Sequence, residues 1–372
     1  MRHSWRIAKI WGIDIKIDSS WLIIFALLIW ILAGYYFPQQ YPSWPRRISW
    51  IISFFTSILF FASVLIHELA HSFVAQKQGE KVKSITLFIL GGVAEISEEP
   101  KKPMKEFYMA LVGPLTSLVL GVLFLIIWAF VRNYSESIGA MTLYLGIINI
   151  VLAFFNLLPG FPMDGGRVLR AIIWKVTGNL KKATRIASLV GQVIAFLLIF
   201  LGIWQLLSGI LIGGIWLIFI GWFLHSASVR GYQQVMLQEM LKDLRAEDLM
   251  NRDFIIVKRN LSIKELVENY VLKHKDRAFM VSDNSQLEGI ICLEDIKKVA
   301  QSEWPTTRVA DIMTPKDKLE TVSPLDNGNT VLSRLTAKNV NQLPVVEKEE
   351  VTGIVCRTDI LQFLQLRMEL GV

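Results

Sequence analysis

Long apolar runs alternate with short polar segments through the first 230 residues. Six of them, 20–37, 49–76, 107–131, 141–158, 184–206 and 210–229, approach or exceed the roughly 20 residues that cross about 30 Å of hydrocarbon, and they predict six transmembrane helices. Between the second and third runs the period drops to two. Ile85, Leu87 and Ile89 alternate, then Leu90-Gly91-Gly92-Val93-Ala94 precedes Glu95 and Ile96. This predicts a short β-hairpin turning at the Gly-Gly pair, with an interfacial loop as the competing reading. Lipid cannot satisfy open strand edges, so such a hairpin has to line a cavity or lie against protein. Beyond about residue 232, short helix and strand patterns alternate, and they repeat. Gly289-Ile-Ile-Cys292-Leu-Glu-Asp295-Ile returns as Gly353-Ile-Val-Cys356-Arg-Thr-Asp359-Ile at an offset of 64, and Asp248-Leu-Met250 as Asp311-Ile-Met313 at an offset of 63. Two copies of a unit of roughly 60 residues, each too small to bury a good core alone, are expected to pack on one another. The expected organisation is a membrane domain over 1–230, a linker over 231–243, and two α/β units at 244–302 and 307–368.

Composition sharpens this division. Hydrophobic residues make up 53% of the 372 and charged residues 19%. Soluble domains run at about 45–50% and about 25%, so a purely soluble enzyme is not expected. Of the 71 Lys, Arg, Asp and Glu residues, 41 lie in 231–372; the first 230 positions carry net +10 and the rest net −3. The basic residues flank apolar spans and form no stripe among exposed aromatics, so no nucleic-acid partner is expected. With the N-terminus inside, 17 basic residues of the first 230 face the cytoplasm and only Arg46, Arg47 and Arg132 face outward, which orients both termini to the cytoplasm. Residues 1–19 are polar and the first apolar run is long enough to span, so a cleavable leader is not expected. Cys292 and Cys356 are the two cysteines and imply no disulfide framework. Matched as they are in the repeat, they leave a redox-sensing role open.

Chemistry concentrates in the second span, at Val64-Leu-Ile-His67-Glu68-Leu-Ala-His71-Ser72. On a helix, positions four apart lie one above the other, so both imidazoles leave the same face. Two such histidines can share one Zn²⁺, and the Glu after the first sits where it can act on water at the metal. An unpaired ionisable group at bilayer depth costs about 2.5–3.5 kcal/mol, so His67, Glu68 and His71 must meet a cavity, a partner or a metal. A buried polar face satisfied by neighbouring helices is the plainer reading. A catalytic zinc keeps three protein ligands, and Asp164 is the best third candidate. It lies in Phe155-Asn156-Leu-Leu-Pro159-Gly160-Phe161-Pro162-Met163-Asp164-Gly165-Gly166-Arg167, whose prolines and glycines force irregular backbone. Asp164 could instead cap the helix that follows. His225, His274 and Glu95 read as interfacial or solvated side chains.

His67-Glu-Leu-Ala-His71 in one span, Gly113-Pro114 in the next, and Asn156-Leu-Leu-Pro159 with Pro162-Met-Asp164-Gly-Gly later resemble the site-2 protease family, intramembrane zinc metalloproteases that cut transmembrane segments of membrane proteins. The paired tail repeats resemble CBS domains, which some prokaryotic members of that family carry. The resemblance implies a multi-pass α-helical membrane domain of about six transmembrane helices with a membrane-associated β-hairpin, joined to a soluble α/β tandem CBS domain, in a prokaryotic cell membrane. It implies that His67, His71 and Asp164 ligate one zinc, that Glu68 is general base and then acid, and that Asn156 hydrogen-bonds near the scissile carbonyl. The Gly91-Gly92 hairpin would present an edge strand to an unwound substrate. In the tail, Asp295 and Asp359 occupy places where CBS modules hold a nucleotide ribose, with Thr358 beside the second, so ATP or AMP is a candidate ligand. The Ser or Thr expected three residues before each Asp is here Cys292 and Cys356, a weak donor. A structural or dimerising tail, and hence a homodimer, is the other reading. A metal transporter or sensor using the same ligands is the alternative function.

Overall fold

The computed structural model describes residues 4–89, 91–96, 102–274, 277–283, 286–337, 340–348 and 350–370. The chain divides into two compact units, Met1–Gln233 and Gln234–Val372. Six helical segments of the described residues are long and apolar enough to cross a membrane: Ser19–Gln40, Arg46–Lys77, Pro103–Val131, Glu136–Asn156, Leu180–Leu207 and Leu211–Leu241. Their outward faces carry large apolar side chains such as Val119, Phe130 and Phe200, exposed as a lipid-facing surface requires.

Residues 4–18, for which the hydrophobic pattern predicts no element, form strands β1 (Ser4–Ile10) and β2 (Ile13–Asp18). Asp18 ends β2 and caps the first span, its Oδ1 accepting from the Ser20 amide at 2.9 Å. That span runs as α1 (Ser19–Ile31), a π turn at Leu32–Tyr36, and α2 (Phe37–Gln40). The second span is α3 (Arg46–Lys77), followed by β3 (Val82–Phe88) and β4 (Gly91–Ile96). The four strands make one sheet in the order β1-β2-β3-β4, with β2 and β3 parallel and the outer pairs antiparallel. Ile13, Ile15 and Ile85 bury its inner face against Ala75 of α3 and Met109. The hairpin lies where the alternation predicts it, but the glycines are not its turn. Phe88 pairs with Gly91 and Leu87 with Gly92, so both glycines belong to β4, an edge strand. Leu90 lies outside the described residues. Gly91 has φ +130°, a backbone conformation that side chains resist, which is why a glycine opens the strand.

The remaining membrane helices are α4 (Pro103–Val131), α5 (Glu136–Asn156), a short α6 (Asp164–Thr177), α7 (Leu180–Leu207) and α8 (Leu211–Leu241), whose last residues belong to the second unit. Between α5 and α6 the chain packs as tightly as backbone allows. A Cβ at Gly165 would stand 2.2 Å from the Leu157 carbonyl oxygen, and one at Gly166 would stand 2.2 Å from the Gly160 carbonyl carbon. Only glycines let α6 start there.

The second unit carries β5 (Ile256–Val257), β6 (Ala278–Asp283), β7 (Gln286–Cys292) and β8 (Thr314–Pro315) in one sheet, and β9 (Gln342–Glu347) with β10 (Glu350–Cys356) in another. The repeats meet through Met280, Leu287, Ile290 and Ile354, with both cysteines alongside. Their leading segments are exchanged. Met250, from the first repeat, packs where a Cβ on Gly353 would stand 2.6 Å from its sulfur, while Met313, from the second, sits over Gly289. Leu241, Ala246 and Leu249 accordingly join the core of the second repeat, with Val331, Val345 and Val355.

Candidate metal centre

Helix α3 buries a face of small polar residues, Ser49, Ser53, Thr56, Ser57 and Ser63, that continues into His67 and His71. The hydroxyls of Ser53, Thr56, Ser57 and Ser63 return to carbonyls four residues back, at 2.6–2.9 Å, so this face is packing surface already satisfied. The two imidazoles are different. Each points its Nε2 at the same spot, 3.2 Å from the other, and Oδ2 of Asp164 completes a triangle at 3.2 Å from His67 and 3.1 Å from His71. Asp164 is the first residue of α6 rather than its cap; the capping position is Met163, whose side chain makes no capping bond. The capping alternative therefore falls: the carboxylate is turned to the histidines.

The outer ring nitrogens are held by α4, which aims the inner ones at the triangle. Nδ1 of His71 lies 2.6 Å from the Met109 carbonyl oxygen, which can only accept, so the proton is on Nδ1. Nδ1 of His67 lies 2.9 Å from Ser117 Oγ. Where Ser117 accepts from His67 in the same way, the two Nε2 atoms and Oδ2 of Asp164 turn three electron pairs on one spot, the donor set of a cation site. Their separations match the roughly 3.3 Å edge of a tetrahedron built on zinc bonds of about 2.0–2.1 Å. The residues fit zinc in type, number and spacing, and Met109 and Ser117 hold the outer ring nitrogens as the partners of metal-ligating histidines do.

The profile of the family described as "Peptidase family M50" matches residues 55–143 and 131–201, and the CBS domain profile matches 246–302 and 309–366. The zinc metalloprotease MJ0392 of Methanocaldococcus jannaschii is 34% identical over 375 residues, covering 100% of this chain and 99% of its own. The Synechocystis protein sll0528 is 36% identical over 369 residues, 98% of this chain and 96% of its own. A solved structure titled "Site-2 Protease from Methanocaldococcus jannaschii" is 31% identical, covers 61% of this chain and 94% of that one, and superposes with a TM-score of 0.42. The chain belongs to peptidase family M50, the site-2 proteases. As an M50 zinc metalloprotease with a tandem CBS tail, it is a multi-pass membrane protein.

Two glycines shape the protease's centre. A Cβ on Gly113 of α4 would stand 2.1 Å from Nε2 of His71 and 2.7 Å from that of His67, so the two imidazoles can converge there only because position 113 is bare backbone. A Cβ on Gly92 would stand 2.5 Å from Cγ of Glu68. Edge strand β4 therefore crosses directly over the glutamate that follows the first histidine. Met109, Ser117 and the closeness of Gly92 to Glu68 were not readable from spacing, because each depends on α4 or β4 folding back over α3. Asn156 is the half-buried last residue of α5, at the entrance to the loop before Asp164, and no hydrogen bond joins it to the triad among the described residues. The buried asparagine of that helix is Asn149, which donates to the Leu145 carbonyl at 2.8 Å. His225 packs against Phe196 and His274 against Tyr270. Glu95 is exposed and accepts from Ser84 at 3.1 Å. Glu98 and Glu99 lie outside the described residues.

In the protease's tail, Thr358 and Asp359 line a cleft of about 450 Å³ together with Asn251, Arg277 and Gln342. Asp295 is not equivalent to Asp359. Its carboxylate accepts from the Cys292 amide at 3.2 Å and from Lys298 at 2.8 Å, and it does not line this cleft. Cys292 accepts a hydrogen bond on Sγ from Gln342 at 2.6 Å. Burial, and after it the neighbouring Asp295, pushes its thiol up to about 12, so it stays protonated and unreactive at neutral pH.

Proposed function

We propose that the protein is a zinc-dependent endopeptidase that hydrolyses peptide bonds in or near transmembrane segments of membrane-protein substrates. The observation that carries the reading is the meeting of three candidate ligand atoms from α3 and α6, with Glu68 beside them under a strand edge. His67, His71 and Asp164 would hold the zinc, which when bound would supply Lewis-acid polarisation of the scissile carbonyl and acidify water enough to react near neutral pH. Glu68 takes a proton from the attacking water as its oxygen bonds to the carbonyl carbon. It then delivers that proton to the nitrogen as the C–N bond breaks. Ser117 and the Met109 carbonyl keep the imidazoles turned inward throughout. Asn156 stands at the end of α5 as a donor for the substrate carbonyl.

A substrate helix protects its carbonyls with internal hydrogen bonds, so it must unwind before attack. The free edge of β4, with Gly91 and Gly92 at its start, offers an extended chain backbone partners within reach of Glu68. The positive-inside bias supports a reading with both termini cytoplasmic, and the resemblance to CBS-carrying members supports a prokaryotic cell membrane. The CBS pair is read as a regulatory module that binds an adenine nucleotide at the Asp359 cleft or brings two chains together as a homodimer. The metal-transporter alternative gains no support, since the polar face of α3 is satisfied within its own helix. Glu68→Gln is expected to retain one zinc per chain while reducing cleavage of a single-span reporter by 10²- to 10⁴-fold, the range typical of general acid–base groups. Asp164→Ala is expected to lose the metal, read by elemental analysis of detergent-purified protein. Undiminished cleavage by Glu68→Gln would eliminate the mechanism.

A further inference from the structure

Helix α4 contributes no ligand, yet one of its faces supports all three. Met109, Gly113 and Ser117 recur every fourth residue, and Glu106 stands on the same side one turn earlier. Met109 and Ser117 hold the outer nitrogens of the two imidazoles, at 2.6 and 2.9 Å. Glu106 is 1% exposed, and its Oε1 accepts from Arg170 Nε at 2.7 Å and also from Arg170 Nη2. Arg170, itself 4% exposed, sits on α6 six residues after Asp164. Its guanidinium carbon lies 4.9 Å from the ring centre of Phe161, in the loop that leads into Asp164. Arg167 adds a longer contact to the same carboxylate, at 3.9 Å.

A buried ion pair is weak support for stability as such, because apolar residues of similar volume commonly do as well or better. It does impose direction. The planar guanidinium admits few arrangements with one carboxylate oxygen, and α6 has no side-chain cap to set its rotation. A small rotation of α6 about its axis would swing Oδ2 of Asp164 off the two Nε2 atoms. We propose that Glu106 and Arg170 are positioning residues of the metal centre. They lock α6 to the face of α4 that orients both histidines, and so hold the three ligand atoms in register. The inference rests on the zinc reading above.

The test uses full-length protein in detergent, loaded with zinc for competition against a chelator and with cobalt(II) for its visible absorption, alongside thermal melting. Glu106→Leu/Arg170→Met removes both members of the buried pair at once and leaves the partly exposed Arg167 without its longer contact to Glu106. It is expected to melt at or above the wild-type temperature, yet to release zinc at least tenfold more readily and to show an altered cobalt spectrum; displaced outer-shell partners typically cost about 10–100-fold in metal affinity. Wild-type zinc retention and an unchanged cobalt spectrum in that variant would overturn the proposal. Should the double variant not fold, Arg170→Lys keeps the charge and removes the planar fork, and the same two readouts decide. A wild-type chain that takes up no more zinc than His67→Ala would instead overturn the zinc reading itself.

Discussion

Replacing Gly113 by alanine tests the centre with a single methyl group. In a helix interior, Gly→Ala ordinarily stabilises by about 1 kcal/mol, so nothing local opposes the change. Here the new carbon would stand 2.1 Å from Nε2 of His71, against the 3.4 Å of an ordinary contact. The ring atom has to retreat by about 1.3 Å. It cannot do so freely, because Nδ1 of the same ring is held by the Met109 carbonyl at 2.6 Å, and leaving that buried pair unmade costs about 1–3 kcal/mol. Metal–ligand bonds lie within about 0.2 Å of their usual lengths, so a retreat several times larger takes Nε2 of His71 out of bonding distance. The expected result is a folded protein whose melting temperature without metal stays close to wild type. Its zinc affinity falls by at least about 100-fold, beyond the usual outer-shell effect, and reporter cleavage falls with it. Zinc competition against a chelator measures the affinity directly. A Gly113→Ala protein holding one zinc with wild-type affinity would refute the convergence of His67, His71 and Asp164 on one ion.

Gly92→Ala presses on Glu68 instead, with its methyl 2.5 Å from Cγ, so zinc content should be unchanged while kcat drops by about 100-fold, the usual cost of misplacing a reacting group by about 1 Å. Loss of zinc in that variant would show that β4 props the ligands rather than the base. Cys292, with its thiol pushed up to about 12 from an ordinary value near 9, should react with iodoacetamide about a thousandfold more slowly than a free thiol at pH 8 in the folded protein, followed by mass spectrometry. By linkage, the unfolded chain releases this proton first, so the stabilising contribution is intact below about pH 9 and declines as the pH rises toward about 12. Asp359→Ala should weaken any ATP or AMP affinity measured by calorimetry on the full chain, whereas Asp295→Ala, outside the cleft, should leave it unaltered. Equal losses from both would restore the symmetric reading of the repeats.

Much of this molecule is written in local pattern. Six apolar runs of spanning length, the four-residue spacing of His67 and His71, and the recurrence of Gly-Ile-x-Cys at an offset of 64 are properties of neighbouring positions. They determine helices, a shared helix face and a duplicated unit whatever else the chain does. Asp164 could be nominated because acidic residues are scarce around it, but its distance from His67, 97 positions earlier in sequence, was decided by how α6 packs on the rest. The same holds where expectation and structure part. The Gly91-Gly92 pair looks like a turn in sequence, yet it serves an edge strand crossing Glu68, a contact only the sheet creates. Strands β1 and β2 escape local reading because their hairpin is held in a sheet only through β3, which pairs with β2 from some 70 residues away. Asp295 and Asp359 occupy matched places in the repeat, yet one is tied to Lys298 and the other opens on a cleft. Spacing along the chain determines which side chains can act together on one element. Which elements are brought within 3 Å of each other depends on packing summed over the whole fold, and no window of sequence contains that sum.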